Sequence, residues 1–292
     1  MRWHRSGGFP EWFRVGFLVA GVQKAGTFSL FQLLRQHPKV GMSTTKEVHF
    51  FDNETTVDWS RPTYNKYHSY FVNDPNKAVL GEATPIYIYW PNALKRIKTY
   101  SPDIKLILLF RDPIGRAFSG WCHQKRKGRE TLSFSDAIRQ GRERISTQGD
   151  FANRHFSYVE RGFYGCQLDR VLQEFPKENI LCIDSRQLSS APSHLLDVIS
   201  TFLGLDTTAH NVTPRHANKR PTDATPLHPS AEDVKLLAML FAPDLDKFAR
   251  LVDFSIDHWP TFRLLSGWMS AEELAAELAQ PGFDHRVDEA IG

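Results

Sequence analysis

Phe17-Leu-Val-Ala-Gly-Val-Gln-Lys-Ala-Gly-Thr27 is the stretch that decides the fold. An apolar strand, Arg14 to Ala20, runs into a loop holding Gly21, Gln23, Lys24, Ala25 and Gly26, and a helical pattern follows from Thr27 to Gln36. Phe28, Leu30, Phe31, Leu33 and Leu34 supply its apolar positions. His37-Pro-Lys39 ends the helix, since proline disfavours helical geometry in the residue before it. A strand–loop–helix joint of this kind builds a phosphate cradle: backbone N–H groups at the helix N-terminus point at the anion, and the helix dipole favours its charge. The loop is not the nucleoside-triphosphate form G-x-x-x-x-G-K-[ST], in which lysine follows the second glycine. Here Lys24 precedes Gly26 and the loop is shorter, which points away from ATP and GTP.

Outward from that joint, strands alternate with helices. Ala78 to Glu82 reads as a strand ending at Thr84-Pro85, and Trp90 to Tyr100 has helical periodicity. Ile104-Lys-Leu-Ile-Leu-Leu-Phe110 is a nearly continuous apolar run, as a parallel strand covered on both faces requires. It delivers the chain to Asp112 and Pro113, good N-cap and first-turn residues for a helix. Further helices are expected over Phe134 to Ile145, Tyr164 to Phe175, Leu195 to Leu203, Ala231 to Leu251 with a break at Ala242-Pro243, and Ser270 to Leu278. Asn179 to Asp184 is a core strand, and Asn211 to Pro229 is a long loop. The alternation predicts an α/β fold, a single domain with a central parallel sheet flanked by helices. Its limits are an N-terminal extension (1–13), the domain proper (14–265) and a C-terminal helical tail (266–292).

Composition narrows the function classes. A net charge of +3 on 292 residues is too small for a nucleic-acid coat but fits local basic pockets for anions. Cys122, Cys166 and Cys182 are scattered without C-x-x-C spacing, which favours a reducing compartment and gives no sign of zinc or another metal. No stretch approaches the roughly 18 apolar residues of a membrane span, and Met1 to Arg14 lacks the uninterrupted apolar region of a signal peptide. A cytoplasmic protein is the expectation; a Golgi-lumenal catalytic domain with its anchor removed is the alternative.

A second anion site stands at the end of the strong strand, in Arg111-Asp-Pro-Ile-Gly-Arg-Ala-Phe-Ser119. A guanidinium there grips phosphate in fork geometry, and Ser119, two turns into the helix, adds a hydroxyl donor. Two anion-binding strand ends on one sheet call for a ligand with phosphates at two places. With Glu47-Val-His-Phe-Phe-Asp52, Glu82-Ala-Thr-Pro85 and Arg161-Gly-Phe-Tyr164, these segments resemble, in order and spacing, the sulfotransferases that use 3'-phosphoadenosine 5'-phosphosulfate (PAPS), especially the heparan sulfate branch.

The resemblance implies a P-loop-like sulfotransferase fold and a set of roles. The loop Gln23, Lys24, Ala25, Gly26, Thr27 and Phe28 would bind the 5'-phosphosulfate, with Lys24 at the bridging and sulfuryl oxygens. Arg111 and Ser119 would bind the 3'-phosphate, and Tyr164 would shape the nucleotide pocket. Lys219 and Arg220 would close over the nucleotide. Glu47 would be the general base and His49 would orient it or the acceptor. The product nucleotide would be adenosine 3',5'-bisphosphate, with no metal required. The acceptor would be a carbohydrate or other small alcohol, contacted from Thr55 to Asn73 and Trp121 to Glu160. Two departures remove positive charge near it: Ala83 stands where heparan-type members often carry lysine, and Phe28 where a basic residue often follows Gly-Thr. Both argue against densely anionic heparan sulfate itself. Read from the residues alone, a nucleotide kinase with an atypical loop and a non-catalytic nucleotide-binding module remain open, Glu47 fits a solvated loop carboxylate, and Lys125 to Arg129 fits a solvated basic face or a surface for an anionic acceptor or partner.

Overall fold

A computed structural model describes residues 13–207 and 229–280. Five strands, β1 (Phe17–Gly21), β2 (Val40–Met42), β3 (Val79–Ala83), β4 (Lys105–Phe110) and β5 (Ile180–Asp184), form one parallel sheet in the order β2-β3-β1-β4-β5. Val19 of β1 stands opposite Ala83 on one side and Ile107 on the other. The intervening helices are α1 (Thr27–Arg35), α2 (Asn65–His68), α3 (Ala93–Tyr100), α4 (Pro113–Arg126) and α5 (Phe134–His155). After them come α6 (Tyr164–Glu174), α7 (Gln187–Ser190), α8 (Pro192–Leu203), α9 (Ala231–Leu251), α10 (Pro260–Leu265) and α11 (Ala271–Ala279).

The topology fixes where a ligand can sit. The chain leaves β1 for the β2 edge, returns to β3, then crosses to β4 on the other side of β1. Open parallel sheets bind ligands outside the carboxyl ends of their strands at such a reversal. The loop after β1, Glu82 near the end of β3 and Arg111 after β4 all belong to that edge.

Two apolar clusters hold the fold. One surrounds the sheet and includes Phe17, Val19, Leu30, Phe51, Tyr87, Leu108 and Phe248. The other lies among α4, α5, α9 and α11 and includes Phe118, Trp121, Phe134, Leu237 and Leu274. Local signals set the helix starts as read. Asp112 Oδ1 accepts from Gly115 N at 2.8 Å with Pro113 in the first turn, and Ser230 and Ser270 each close a capping box.

Besides the short helices α2, α7 and α10, which leave no clear periodicity, four elements differ from expectation. The first strand begins at Phe17, because Arg14 turns outward and donates to the Tyr100 carbonyl at 2.7 Å. β2, three residues long, is too short to leave a periodic signal. α5 continues to His155, past Gly149, whose φ of 60° kinks it. α9 runs through Pro243 without the expected break. An interior proline costs about 3 kcal/mol, but Phe241, Leu245 and Phe248 are all buried, and their packing holds the helix together across the proline. Among the described residues no helix is long and apolar enough to cross a membrane.

Candidate active site

The loop after β1 has the backbone turns that an anion cradle needs. Lys24 has φ 70°, and Gly26, the N-cap of α1, has φ 83°. No side chain caps the first N–H groups of α1, so they are left to a ligand. Ala25 and Thr27 are buried beneath the loop, Gln23 lines an adjoining cavity, and Phe28 is exposed beside it. Arg111, at the carboxyl end of β4, donates from Nη1 to the Lys24 carbonyl at 3.2 Å. The two predicted anion segments therefore touch.

Ser119 lies fully buried in α4, and Tyr164 is buried at the start of α6 with its ring on Phe110 and Phe248. Arg116 Nε and Arg161 Nη1 are buried without a hydrogen-bond partner among the described residues, while the Tyr164 hydroxyl lies against the Arg116 guanidinium. Arg111 and Arg116 both act on the Tyr164 hydroxyl electrostatically. Two buried guanidinium N–H groups are thus left without an acceptor among those residues. Lys219 and Arg220 lie outside the described residues.

Glu47 and His49 come together, and the structure adds three groups to them. His49 Nε2 lies 3.2 Å from Glu47 Oε2, and His49 Nδ1 lies 2.8 Å from Asp52 Oδ2. Arg154 pairs with the same Asp52 oxygen and donates to the Asp52 carbonyl at 2.8 Å. Lys46 Nζ reaches Glu47 Oε1 at 3.3 Å and Thr27 Oγ1 at 3.5 Å, tying the carboxylate to the start of α1. His49 takes φ 53°, a conformation a non-glycine residue adopts only when its surroundings enforce it.

The charges follow from these contacts. Burial alone would raise Glu47, but the hydrogen bond from His49 and the charge of Lys46 outweigh it and hold the carboxyl at about 2. Burial alone would lower His49, but Asp52 and Glu47 outweigh it and raise the imidazole to about 9. At neutral pH an imidazolium thus bridges two carboxylates.

Glu82 holds the backbone of this segment. Fully buried, and raised to about 7 chiefly by desolvation, it accepts from Thr84 Oγ1 at 2.6 Å and from the Tyr87 hydroxyl at 2.8 Å. Those two oxygens accept in turn from the amides of Val48 and Phe50, at 3.0 and 3.1 Å. Glu82-Ala-Thr-Pro85 is thereby the scaffold of Glu47 and His49. Tyr87 and Trp90 are core residues.

Two cavities open beside these groups. One, of about 370 Å³, is lined by Gln23, Lys46, Glu47, His49 and residues of the α4 end; the other, of about 410 Å³, is lined by Asn53, Thr55, Asp150 and Phe151. They share His49, Arg154 and His155. Lys46, Asp52 and Arg154 had not been singled out from the sequence. Lys46 and Asp52 flank or end the Glu47-Val-His run, whereas Arg154 follows Asp52 by 102 residues and leaves no local signal. Among the described residues no cluster of His, Cys, Asp and Glu could hold a metal ion.

Comparison with known proteins agrees with this geometry. The family described as "Sulfotransferase domain" matches residues 16–226. Human heparan sulfate glucosamine 3-O-sulfotransferase 6 is 33% identical over 191 residues, 64% of this chain and 52% of that protein. Mouse bifunctional heparan sulfate N-deacetylase/N-sulfotransferase 4 is 30% identical over 206 residues, 65% of this chain and 22% of that protein. The chain thus spans about half the length of the first of these relatives and less of the second. The crystal structure of a sulfotransferase from Alicyclobacillus acidocaldarius superposes with a TM-score of 0.71 at 27% identity, covering 85% of this chain and 99% of that one. With the family model matching residues 16–226 and a solved sulfotransferase superposing over most of both chains, the chain belongs to the sulfotransferase-domain family.

Proposed function

We propose that the protein moves a sulfuryl group from PAPS to a hydroxyl or amine of a carbohydrate or other small acceptor. The observation that carries this reading is a cavity lined by Gln23 of the β1–α1 loop and by Glu47 and His49, with the uncapped α1 N-terminus and Arg111, on the Lys24 carbonyl, in the same loop region. PAPS, bound there, supplies the sulfuryl group. The α1 N–H groups and Lys24 hold the 5' side, and Arg111, with Ser119 and Tyr164, holds the 3'-phosphate. As in phosphoryl transfer, a loose transition state leaves the protein mainly positioning and electrostatic work. Lys24 and Lys46 meet the negative charge that gathers on the leaving and transferring oxygens. Glu47 accepts the acceptor's proton. A carboxylate held at about 2 is a weak base, but a loose transition state asks for little proton transfer before the sulfur–oxygen bond forms. The chain Asp52–His49⁺–Glu47 then keeps the carboxylate aimed.

The test begins with binding. Adenosine 3',5'-bisphosphate without magnesium should raise the melting temperature, worth about 2.7 kcal/mol at a hundredfold excess over Kd; stabilisation only by Mg-ATP would sink the reading. Transfer from labelled PAPS across a carbohydrate panel should then fall in Glu47→Gln, toward the low end of the ~10²–10⁴-fold range of general-base catalysis, and unchanged turnover would remove Glu47 from the mechanism. Lys24→Ala should lose transfer while keeping its fold.

A further inference from the structure

The basic run Lys125-Arg-Lys-Gly-Arg129 has its place at the mouth of the cleft. α4 ends at Arg126, and Gly128, at φ 67°, turns the chain back so that Arg129 N donates to the Gln124 carbonyl at 3.0 Å. The turn is anchored from below by Glu130. That buried carboxylate accepts from the Tyr158 hydroxyl at 2.9 Å, from Arg144 at 2.8 Å and from Leu132 N at 3.0 Å. Lys127 and Arg129 are thereby presented, exposed, to the 370 Å³ cavity that also holds Lys46, Glu47 and Arg154. The local field is strongly positive. His155, shared by both cavities, is held at about 4, first by burial and then by the charges of Arg129, Arg161, Arg154 and Lys127.

The 410 Å³ cavity has the opposite character. Asp52 is spent on His49 and Arg154, and Glu54 on Arg96 and the Trp90 indole. Asp150, exposed on α5 just past the Gly149 kink, is the lining carboxylate that makes no ion pair among the described residues. Beside it Phe151 is 56% exposed, an aromatic surface in an otherwise polar hollow. His49, Arg154 and His155 lie where the two cavities meet, with Glu47 beside them in the first.

We propose that the cleft reads charge asymmetry in its acceptor. It takes a short oligosaccharide with one anionic group on the Lys127–Arg129 side and an uncharged or amino-bearing unit against Asp150 and Phe151. A chain sulfated on both units sets a charge against Asp150 and is disfavoured. This inference rests on the sulfuryl-transfer reading for its purpose but not for its test.

The experiment is calorimetric titration at ~0.15 M salt, so that distant charges are screened. Four β-linked disaccharides serve as probes: neutral, uronate on one unit, uronate on one unit with a free amine on the other, and sulfated on both. The two uronate probes should bind about tenfold tighter than the neutral one, as charged hydrogen bonds predict, and tighter than the doubly sulfated one. Lys127→Ala with Arg129→Ala should erase the preference over the neutral probe, and Asp150→Lys should bring the doubly sulfated probe level with the uronates. Equal binding of neutral and uronate probes, tightest binding of the doubly sulfated probe, or a preference that survives the double substitution overturns the proposal. Donor capture is read separately, by thermal shift with adenosine 3',5'-bisphosphate. The titrations are made with and without that nucleotide, so a failure of one reading is distinguishable from a failure of the other.

Discussion

His49 carries its proton because two carboxylates hold it, and that has a measurable sign in pH. Its folded value of about 9 lies above the ordinary 6.5, so its stabilisation is complete below pH 6.5 and is lost as pH rises through 9. Glu47, at about 2 against an ordinary 4.5, contributes above pH 4.5 and loses that contribution as pH falls through 2. The ring is 44% exposed, so solvent screens much of the gain. By NMR the His49 ring should titrate near pH 9 in the free protein, and Asp52→Asn should move that titration down and flatten the alkaline limb of the stability curve. A wild-type midpoint near 6.5 would remove the imidazolium bridge. At this scale the sequence was half legible. Lys24 stands in a loop whose shape points to anion binding, whereas Glu47 and His49 drew their expected roles from the family resemblance, and the structure brings those two side chains together. Asp52 joins them through a left-handed turn at His49 that no periodicity encodes, and Arg154 joins them only through tertiary folding.

Among the elements, the α6–α9 contact shows how a helix can be capped from outside its own segment. α6 has no side-chain cap of its own; Asp244, one residue past Pro243 in α9, accepts from Gly165 N at 2.7 Å and Cys166 N at 2.8 Å. The helices approach so closely that a Cβ on Gly165 would lie 2.5 Å from the Asp244 carbonyl oxygen. Asp244→Ala should cost about 0.5–2 kcal/mol as a lost cap, and Gly165→Ala about 1–3 kcal/mol as overpacking, both read from denaturant midpoints. Gly165→Ala at wild-type stability would contradict the close approach. The sequence carried both helices plainly. What it hid was that the proline sits inside α9 because the next residue serves α6. A break is the right expectation for an isolated helix, and packing reverses it.

For the whole molecule, the sheet was legible because β1 and β4 are apolar runs that end in chemistry. The edge strand β2 was not, being three residues long. The family match ends at residue 226, yet the packed unit reaches further, since Leu274 and Leu278 of α11 are buried with Leu237 of α9 and Phe118 of α4. Leu274→Ala should therefore lower stability by about 2–5 kcal/mol; a negligible loss would mean that α11 is a detachable appendage.

The two apolar clusters divide the cleft between them. Lys24, Glu47, His49 and Arg111 ride on the sheet and its loops, whereas Lys127, Arg129, Asp150 and Arg154 ride on α4 and α5 above the helical cluster. On the sulfuryl-transfer reading, substitutions at Lys127, Arg129 and Asp150 are thus absorbed by a different core from the one under Lys24, Glu47 and Arg111. If the proposed roles hold, a lineage built on this architecture can exchange one acceptor for another by drift in the helical layer while the sheet side of the cleft stays as it is.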